Sequence, residues 1–279
     1  MLWETARRTL DLSAKGVIMG IVNATPDSFF DGGSYADPTS AIAQGERMAA
    51  EGALIIDIGG ESTRPGAQPV PAQEEMRRVL PVIRGLRKNP DILLSIDTSK
   101  AEVARAAIAE GVDILNDVTA LRGDPAMMAL AAESNVGVVL THMQGTPQTM
   151  QDNPHYEDVV AEVGNFLRQQ TAEAVASGIR LNRIIVDPGI GFGKTLAHNL
   201  RLLRSLEAFA ERPVLVGFSR KSFLGKLVGS TELEDRFWPG VALTAYCRNK
   251  GALIFRVHEA RPHCDAMRMT ESLMEGPAL

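Results

Sequence analysis

Eight short apolar runs, rich in Val, Ile and Leu, divide this chain at 17–22, 53–58, 92–96, 112–115, 136–140, 184–186, 214–216 and 252–257. Nearly every run ends on polar residues: Asn23, Glu61-Ser62-Thr63-Arg64, Asp97, Asn116, His142, Asp187, Ser219-Arg220-Lys221 and Arg256-Val257-His258. Continuous rather than alternating hydrophobicity suits strands buried on both faces, as in a parallel sheet. Between the runs lie stretches of helical periodicity at 39–51, 73–87, 100–110, 125–133, 158–177, 197–208, 233–249 and 260–274. A strand followed by a helix, eight times, predicts an α/β chain closed into a (β/α)8 TIM barrel, with right-handed crossovers. In that architecture the carboxyl ends of all strands open on one mouth, so polar strand ends scattered along the chain describe one pocket.

Punctuation between the elements agrees. Gly52, Gly111, Gly178 and Gly251 each stand just past a predicted helix and just before a strand, where a left-handed cap residue is wanted. Asp37-Pro38 and Asp124-Pro125 read as an N-cap followed by Pro at the first helical position. The longer polar stretches at 25–37, 63–72 and 142–156 follow strands, so they read as binding loops and not as domain boundaries. One domain over 1–279 is expected.

A net charge of -5 argues against a nucleic-acid surface or a polybasic membrane patch. No apolar run approaches the roughly 20 residues needed to span a bilayer. The first twelve residues carry Glu4, Arg7, Arg8 and Asp11 rather than the apolar core of a signal peptide. Cys247 and Cys264 form no Cys-x-x-Cys motif, which fits a reducing, cytoplasmic setting.

The strand ends carry two kinds of chemistry. Asp97, Asn116 and Asp187 follow aliphatic residues directly. Each acid has an alternative reading as a cap of the next helix. Buried carboxylates need donors, however, and three such groups on three strand ends suit the N–H edge of an amino-pyrimidinone heterocycle. Arg64, Arg256 and His258, with Asn23 and Thr63, fall on the neighbouring strands one, two and eight and suit phosphate oxygens. Asn23 offers an oxygen to Mg2+, which keeps waters and bridges phosphates. Lys221 opens a helix, where a cation is disfavoured, so a ligand carbonyl is a better partner for it than solvent. Gly189-Ile190-Gly191-Phe192-Gly193-Lys194 lacks the Walker spacing. Its glycines allow close backbone approach to a ligand, with Phe192 as an aromatic face. His142 reads as a structural histidine, and His155, His198 and His263 as surface residues.

As a set, these motifs resemble the dihydropteroate synthase family of pterin-binding barrels. The segments are Asn23-Ala24-Thr25-Pro26-Asp27-Ser28-Phe29, Asp57-Ile58-Gly59-Gly60-Glu61-Ser62-Thr63-Arg64-Pro65-Gly66, Ser95-Ile96-Asp97-Thr98-Ser99-Lys100, Asn116-Asp117-Val118, His142-Met143-Gln144-Gly145, Asp187-Pro188-Gly189, Ser219-Arg220-Lys221-Ser222 and Arg256-Val257-His258. The likeness runs in order over roughly residues 17–260. It implies condensation of a dihydropterin CH2-pyrophosphate with 4-aminobenzoate, releasing pyrophosphate with Mg2+ assistance, in a homodimeric sulfonamide target. Carried over, Asp97, Asn116, Asp187 and Lys221 would hold the pterin. Asn23, Thr63, Arg64, Arg256 and His258 would hold the pyrophosphate, with Asn23 on the metal. Pro65, Phe192, Lys221 and Ser222 would line the aminobenzoate pocket, and Asp97, Lys221 and Arg256 would act in catalysis. Three features depart from the family pattern: Ile190, where Phe is commoner; Glu259, where Asp is commoner after the histidine; and Phe237-Trp238-Pro239-Gly240 at a helix start. The first is expected to alter the aromatic lining of the aminobenzoate side. Two other readings compete. One is methyl transfer from a folate to a corrinoid protein, which needs no pyrophosphate hold. The other is a non-catalytic barrel binding a pterin or phosphate ligand.

Overall fold

The computed structural model describes residues 1–25, 38–64 and 66–274. Eight parallel strands close into a barrel: β3 (Val17–Asn23), β4 (Ile55–Gly59), β5 (Leu93–Asp97), β6 (Ile114–Asp117), β7 (Gly137–Thr141), β8 (Ile184–Asp187), β9 (Val214–Val216) and β10 (Ala252–Val257). β10 pairs with β3 and β9, which completes the ring. All eight fall on the apolar runs. Helices α1 (Pro38–Ala50), α2 (Ala72–Leu86), α3 (Ala101–Ala109), α4 (Met127–Glu133), α5 (Val159–Ala176), α6 (Leu196–Arg204), α8 (Phe237–Asn249) and α9 (Ala260–Met274) wrap the outside. Gly52, Gly111, Gly178 and Gly251 all have φ between 91° and 108°, the conformation that their place after a helix demands.

Two elements are additional to the expected eight pairs. β1 (Leu2–Glu4) and β2 (Thr9–Asp11) form an antiparallel hairpin across the floor of the barrel. Trp3 is fully buried there and its indole N–H donates to the Arg183 carbonyl at 3.0 Å. Gly137 makes room for it, since a methyl at that position would stand 3.1 Å from Trp3 Nε1 and from the Glu4 carbonyl. Arg7 Nε pairs with the buried Asp113 at 2.7 Å. The stretch 233–249, expected as one helix, is divided: a 3-10 turn, Glu234–Arg236, precedes α8. Pro239 lies in the first turn of α8, where its missing N–H has no intrahelical role. A separate short helix, α7 (Ser222–Val228), follows β9.

The Asp124-Pro125 expectation is also corrected. α4 begins at Met127, and Asp124 accepts from Ala126 N and, through its other oxygen, from Ala101 N. That carboxylate therefore serves the N-terminus of α3 across the β6–α4 connection. No described helix is long and apolar enough to cross a membrane.

Candidate active site

The barrel interior is built in layers, because alternate residues of a strand face the same side. Met19, Ile55, Leu93, Ile114, Val139, Ile185, Leu215 and Ile254, one from each strand, form the apolar floor with Trp3 and Leu12. Two residues further along each strand the chemistry changes. Asp57, Ser95, Asn116, Thr141, Asp187 and Arg256 occupy these positions, beside Ile21 and Gly217. One more step reaches Asn23, Asp97, Ser219 and His258, with Val118 and Met143. Polar strand ends therefore become a polar bowl on an aliphatic base.

Arg256 organises the bowl. Its Nε donates to Asp57 Oδ2 at 2.6 Å and its Nη2 to Asp97 Oδ2 at 2.5 Å. Asn116 Nδ2 donates to the same Asp57 oxygen at 3.1 Å. Burial disfavours the guanidinium charge, but Asp57 and Asp97 outweigh it and push its pKa above the ordinary arginine value. In Asp97 burial prevails over the ion pair. Burial raises it to about 7 despite Arg256, and the neighbouring Asp57 adds to the rise. Asp187 is also raised by burial, with Lys221 and the Gly189 N–H, at 2.7 Å, opposing. Lys221 is lowered by burial to about 8, while Asp187 resists the shift. Its ammonium stands 4.0 Å over the Phe192 ring and donates to the Ile190 carbonyl.

Beside this group lies a cationic rim. His258 is lowered to about 3, first by burial and then by Arg220, Arg256, Arg64 and Lys221. Its Nδ1 lies 3.0 Å from Ser219 Oγ. Arg220 has φ 61° and is held by an ion pair to Glu259. Glu259 is thus taken by Arg220, and Arg256 stays inside the bowl. Asn23 Oδ1 and Asp97 Oδ2 flank Gly59, each 3.9 Å from where a methyl on that glycine would stand. Thr63 is half-buried, and Arg64 and Ser222 are exposed. Phe192 joins Val118, Met143 and Met150 in a small apolar cluster at the mouth. Pro65 lies outside the described residues, as does the segment 26–37 of the first loop.

The division of the strand ends into a pterin group and an anion group is less clean in three dimensions. Arg256, assigned to the second, ion-pairs with Asp97 of the first. Ile190 departs from expectation, because its side chain is fully buried in the layer between barrel and helices and only its carbonyl meets Lys221. His263 is likewise no surface residue: it is buried, with Nδ1 2.6 Å from Thr244 Oγ1 of α8. Two functional-site residues escaped the sequence reading. Asp57 hid inside an apolar run, and it is the register of β4 with β3 and β5 that shows it facing inward. Lys194 is buried behind the glycine loop, where its Nζ donates to the Phe192 carbonyl at 2.9 Å and lies 3.0 Å from His142 Nδ1. Burial lowers it well below the usual lysine value.

A closed barrel whose mouth sets buried carboxylates and an amide against a lysine, beside a cationic rim, belongs to the class of pterin-binding (β/α)8 barrels. The profile of the pterin binding enzyme family matches residues 19–258. A dihydropteroate synthase of Neisseria meningitidis serogroup C is 45% identical over 277 residues, covering 98% of this chain and 97% of that protein. The Escherichia coli K12 dihydropteroate synthase is 43% identical over 270 residues, covering 95% and 94%. Xanthomonas albilineans dihydropteroate synthase with 4-aminobenzoic acid superposes with a TM-score of 0.92 at 45% identity, covering 99% of both chains. The same enzyme in complex with 7,8-dihydropteroate gives 0.90 at 42% identity, covering 99% of this chain and 100% of that one. The chain belongs to the dihydropteroate synthase family of pterin binding enzymes.

Proposed function

We propose that this chain condenses a dihydropterin bearing a 6-CH2-diphosphate with 4-aminobenzoate, giving dihydropteroate and pyrophosphate. The observation that carries the reading is the juxtaposition at one mouth of the buried Asp97, Asn116 and Asp187 and the half-buried Lys221 with the cations around His258. The first group has the acceptors and the donor that a pterin edge requires. The second has the charge that a leaving diphosphate requires. Corrinoid-directed methyl transfer needs no such rim, which weighs against that alternative. Relatives solved with 4-aminobenzoic acid and with 7,8-dihydropteroate support the two substrates.

The reaction breaks the bond between the methylene carbon and the diphosphate oxygen, and the electron pair leaves with the diphosphate. Arg64, Arg256 and His258 stabilise that charge as it develops. The methylene cation is conjugated with the pterin, and Asp97 favours it electrostatically. The neutral arylamine of 4-aminobenzoate then donates its lone pair to the carbon and loses a proton to solvent. Phe192 and the stem of Lys221 give the aryl ring an apolar wall. Water must be kept from the cation, which is the task assigned to the loops after β3 and β4.

Mg2+ belongs to this proposal as a charge carried between protein and diphosphate. Among the described residues no group of three or more His, Cys, Asp or Glu side chains could hold a metal. Asn23 Oδ1 at the rim, a hard neutral oxygen, fits an ion that takes most of its ligands from water and phosphate. When bound, the ion supplies Lewis-acid stabilisation of the departing diphosphate. We further infer a cytoplasmic setting, supported by two buried free cysteines, and a homodimer, supported by the apolar outer faces of α8 and α9. No nucleic-acid partner belongs to the reading.

Purified protein is mixed with the pterin diphosphate, 4-aminobenzoate and Mg2+, and pyrophosphate release is measured. Release that depends on the amine is expected. Release without amine dependence, or none, would sink the proposal.

A further inference from the structure

We propose that Lys100 is a positioning residue that anchors the loop after β4 and thereby sets the place of Thr63 and Arg64. Nothing in the catalytic scheme above uses it. The inference rests on the synthase reading, which gives those two loop residues their role.

The loop is closed at its root by one carboxylate. Glu61 Oε2 accepts from the Val70 backbone N–H at 2.8 Å, tying residues 61 and 70 together. The same oxygen accepts from Lys100 Nζ at 2.5 Å. Lys100 Nζ also donates to Glu75 Oε2 of α2 at 2.6 Å. Glu75 is fully buried, and its other oxygen has no partner among the described residues. Arg78 of α2 donates to the Gly60 carbonyl at 2.9 Å, holding the residue before the loop. The root is thus bolted to α2 and α3, and Lys100 is the bolt that touches both.

Its location needs such an explanation. Lys100 is the N-cap residue of α3, and it makes no side-chain cap. A cation at that end opposes the helix dipole. Charge-assisted bonds to two carboxylates offset this, and one of those carboxylates belongs to the loop. Burial disfavours the ammonium, yet Glu61 and Glu75 outweigh it, so the amine stays charged. Lys100 also lies three residues beyond Asp97 on the same β5–α3 turn. The strand end that meets the pterin and the loop that meets the diphosphate therefore share one short, rigid connection.

The consequence is selective. The pterin ring is held by Asp97, Asn116 and Asp187 on strands, which do not depend on the anchor. Thr63 and Arg64 do depend on it. Lys100→Met should raise the KM for the pterin diphosphate by about tenfold, as a small misplacement of a positioning group does. Affinity for a pterin lacking the diphosphate should stay within about twofold, since no strand residue moves. Lys100→Arg should restore most of the loss. Because Lys100→Met strands Glu75 as an unpaired buried charge, Lys100→Met with Glu75→Gln serves as the neutral control and should show the same KM change. Hydrogen exchange gives a readout that needs no turnover: amides of 61–71 should exchange faster in the variants while those of β5 and α3 do not. Equal losses of affinity for the pterin diphosphate and for the pterin lacking it would mean that Lys100 only supports the fold. Unchanged exchange in 61–71 would overturn the anchor itself. Absence of amine-dependent turnover in the unmodified protein, with the exchange result intact, would instead remove the functional reading.

Discussion

At the scale of single residues, Asp97 shows how the site trades stability for function. Two buried carboxylates, Asp57 and Asp97, share one guanidinium, so the cluster carries an excess negative charge until a ligand arrives. Burial first, and the charge of Asp57 after it, make Asp97 hold its proton up to about 7. A pterin edge needs an acceptor at that position. Its kcat/KM, which reports the free enzyme, should therefore rise as pH increases through about 7 and fall on the acid side, where Asp97 is neutral. Asp97→Asn removes the excess charge and should leave the melting temperature unchanged or higher, while turnover falls by about a hundredfold or more. A pH profile and a thermal scan of the same preparation check both halves. Normal turnover of Asp97→Asn would reject the electrostatic role. The sequence made Asp97 legible because a lone acid ended an aliphatic run. Asp57 stayed hidden because an acid inside a strand is recognised only when its inward register is known, and register depends on pairing with β3 and β5. Lys194 stayed hidden for a related reason. Its lowered pKa comes from burial behind the glycine loop, which no local pattern announces.

At the scale of elements, the barrel strands and most helices follow from periodicity and cap glycines. The β1–β2 hairpin does not, since three-residue strands are too short to show alternation. Its weight in the fold lies in Trp3, which closes the floor under eight strand side chains. Trp3→Ala should lower stability by about 3–5 kcal/mol in urea unfolding, through lost transfer energy and an unfilled cavity. At low denaturant its KM values should change little, because the apolar layer of Met19, Ile55, Leu93 and Ile114 stands between Trp3 and the polar bowl. The loop after β8 makes the opposite case. Gly189 has φ 67°, and a methyl there would stand 1.8 Å from the His142 carbonyl. That clash is with backbone, which cannot swing aside. Gly189→Ala should push the β7 and β8 loops apart, displace Asp187 and Phe192, and abolish activity while the helices remain, as circular dichroism would record.

At the scale of the whole molecule, the active-site mouth lies at the carboxyl ends of the strands, and among the described residues the most exposed large apolar side chains lie elsewhere. Trp238 is 71% exposed on α8, and Met269 and Leu273 on α9 are 62% and 72% exposed. Tyr246 of α8 and Leu233 before it are exposed too. These two helices pack on each other and close the ring between β9 and β3, so their outer faces form one surface. Sequence alone could not separate this surface from core packing, since Leu- and Met-rich helices suit either. Single exposed apolar residues are ordinary, whereas a group of this size on adjacent helices is where the proposed homodimer would meet. A two-fold dimer buries one such patch against itself, so a charge placed within it appears twice in the interface. Trp238→Glu should therefore convert a dimer of about 60 kDa, twice the 30.1 kDa chain, into monomers in sedimentation at micromolar concentration. The residue touches nothing in the mouth, so the monomer should still bind a pterin. A wild-type chain that already sediments at the monomer mass would reject the dimer and leave the α8–α9 face without a second copy as its partner.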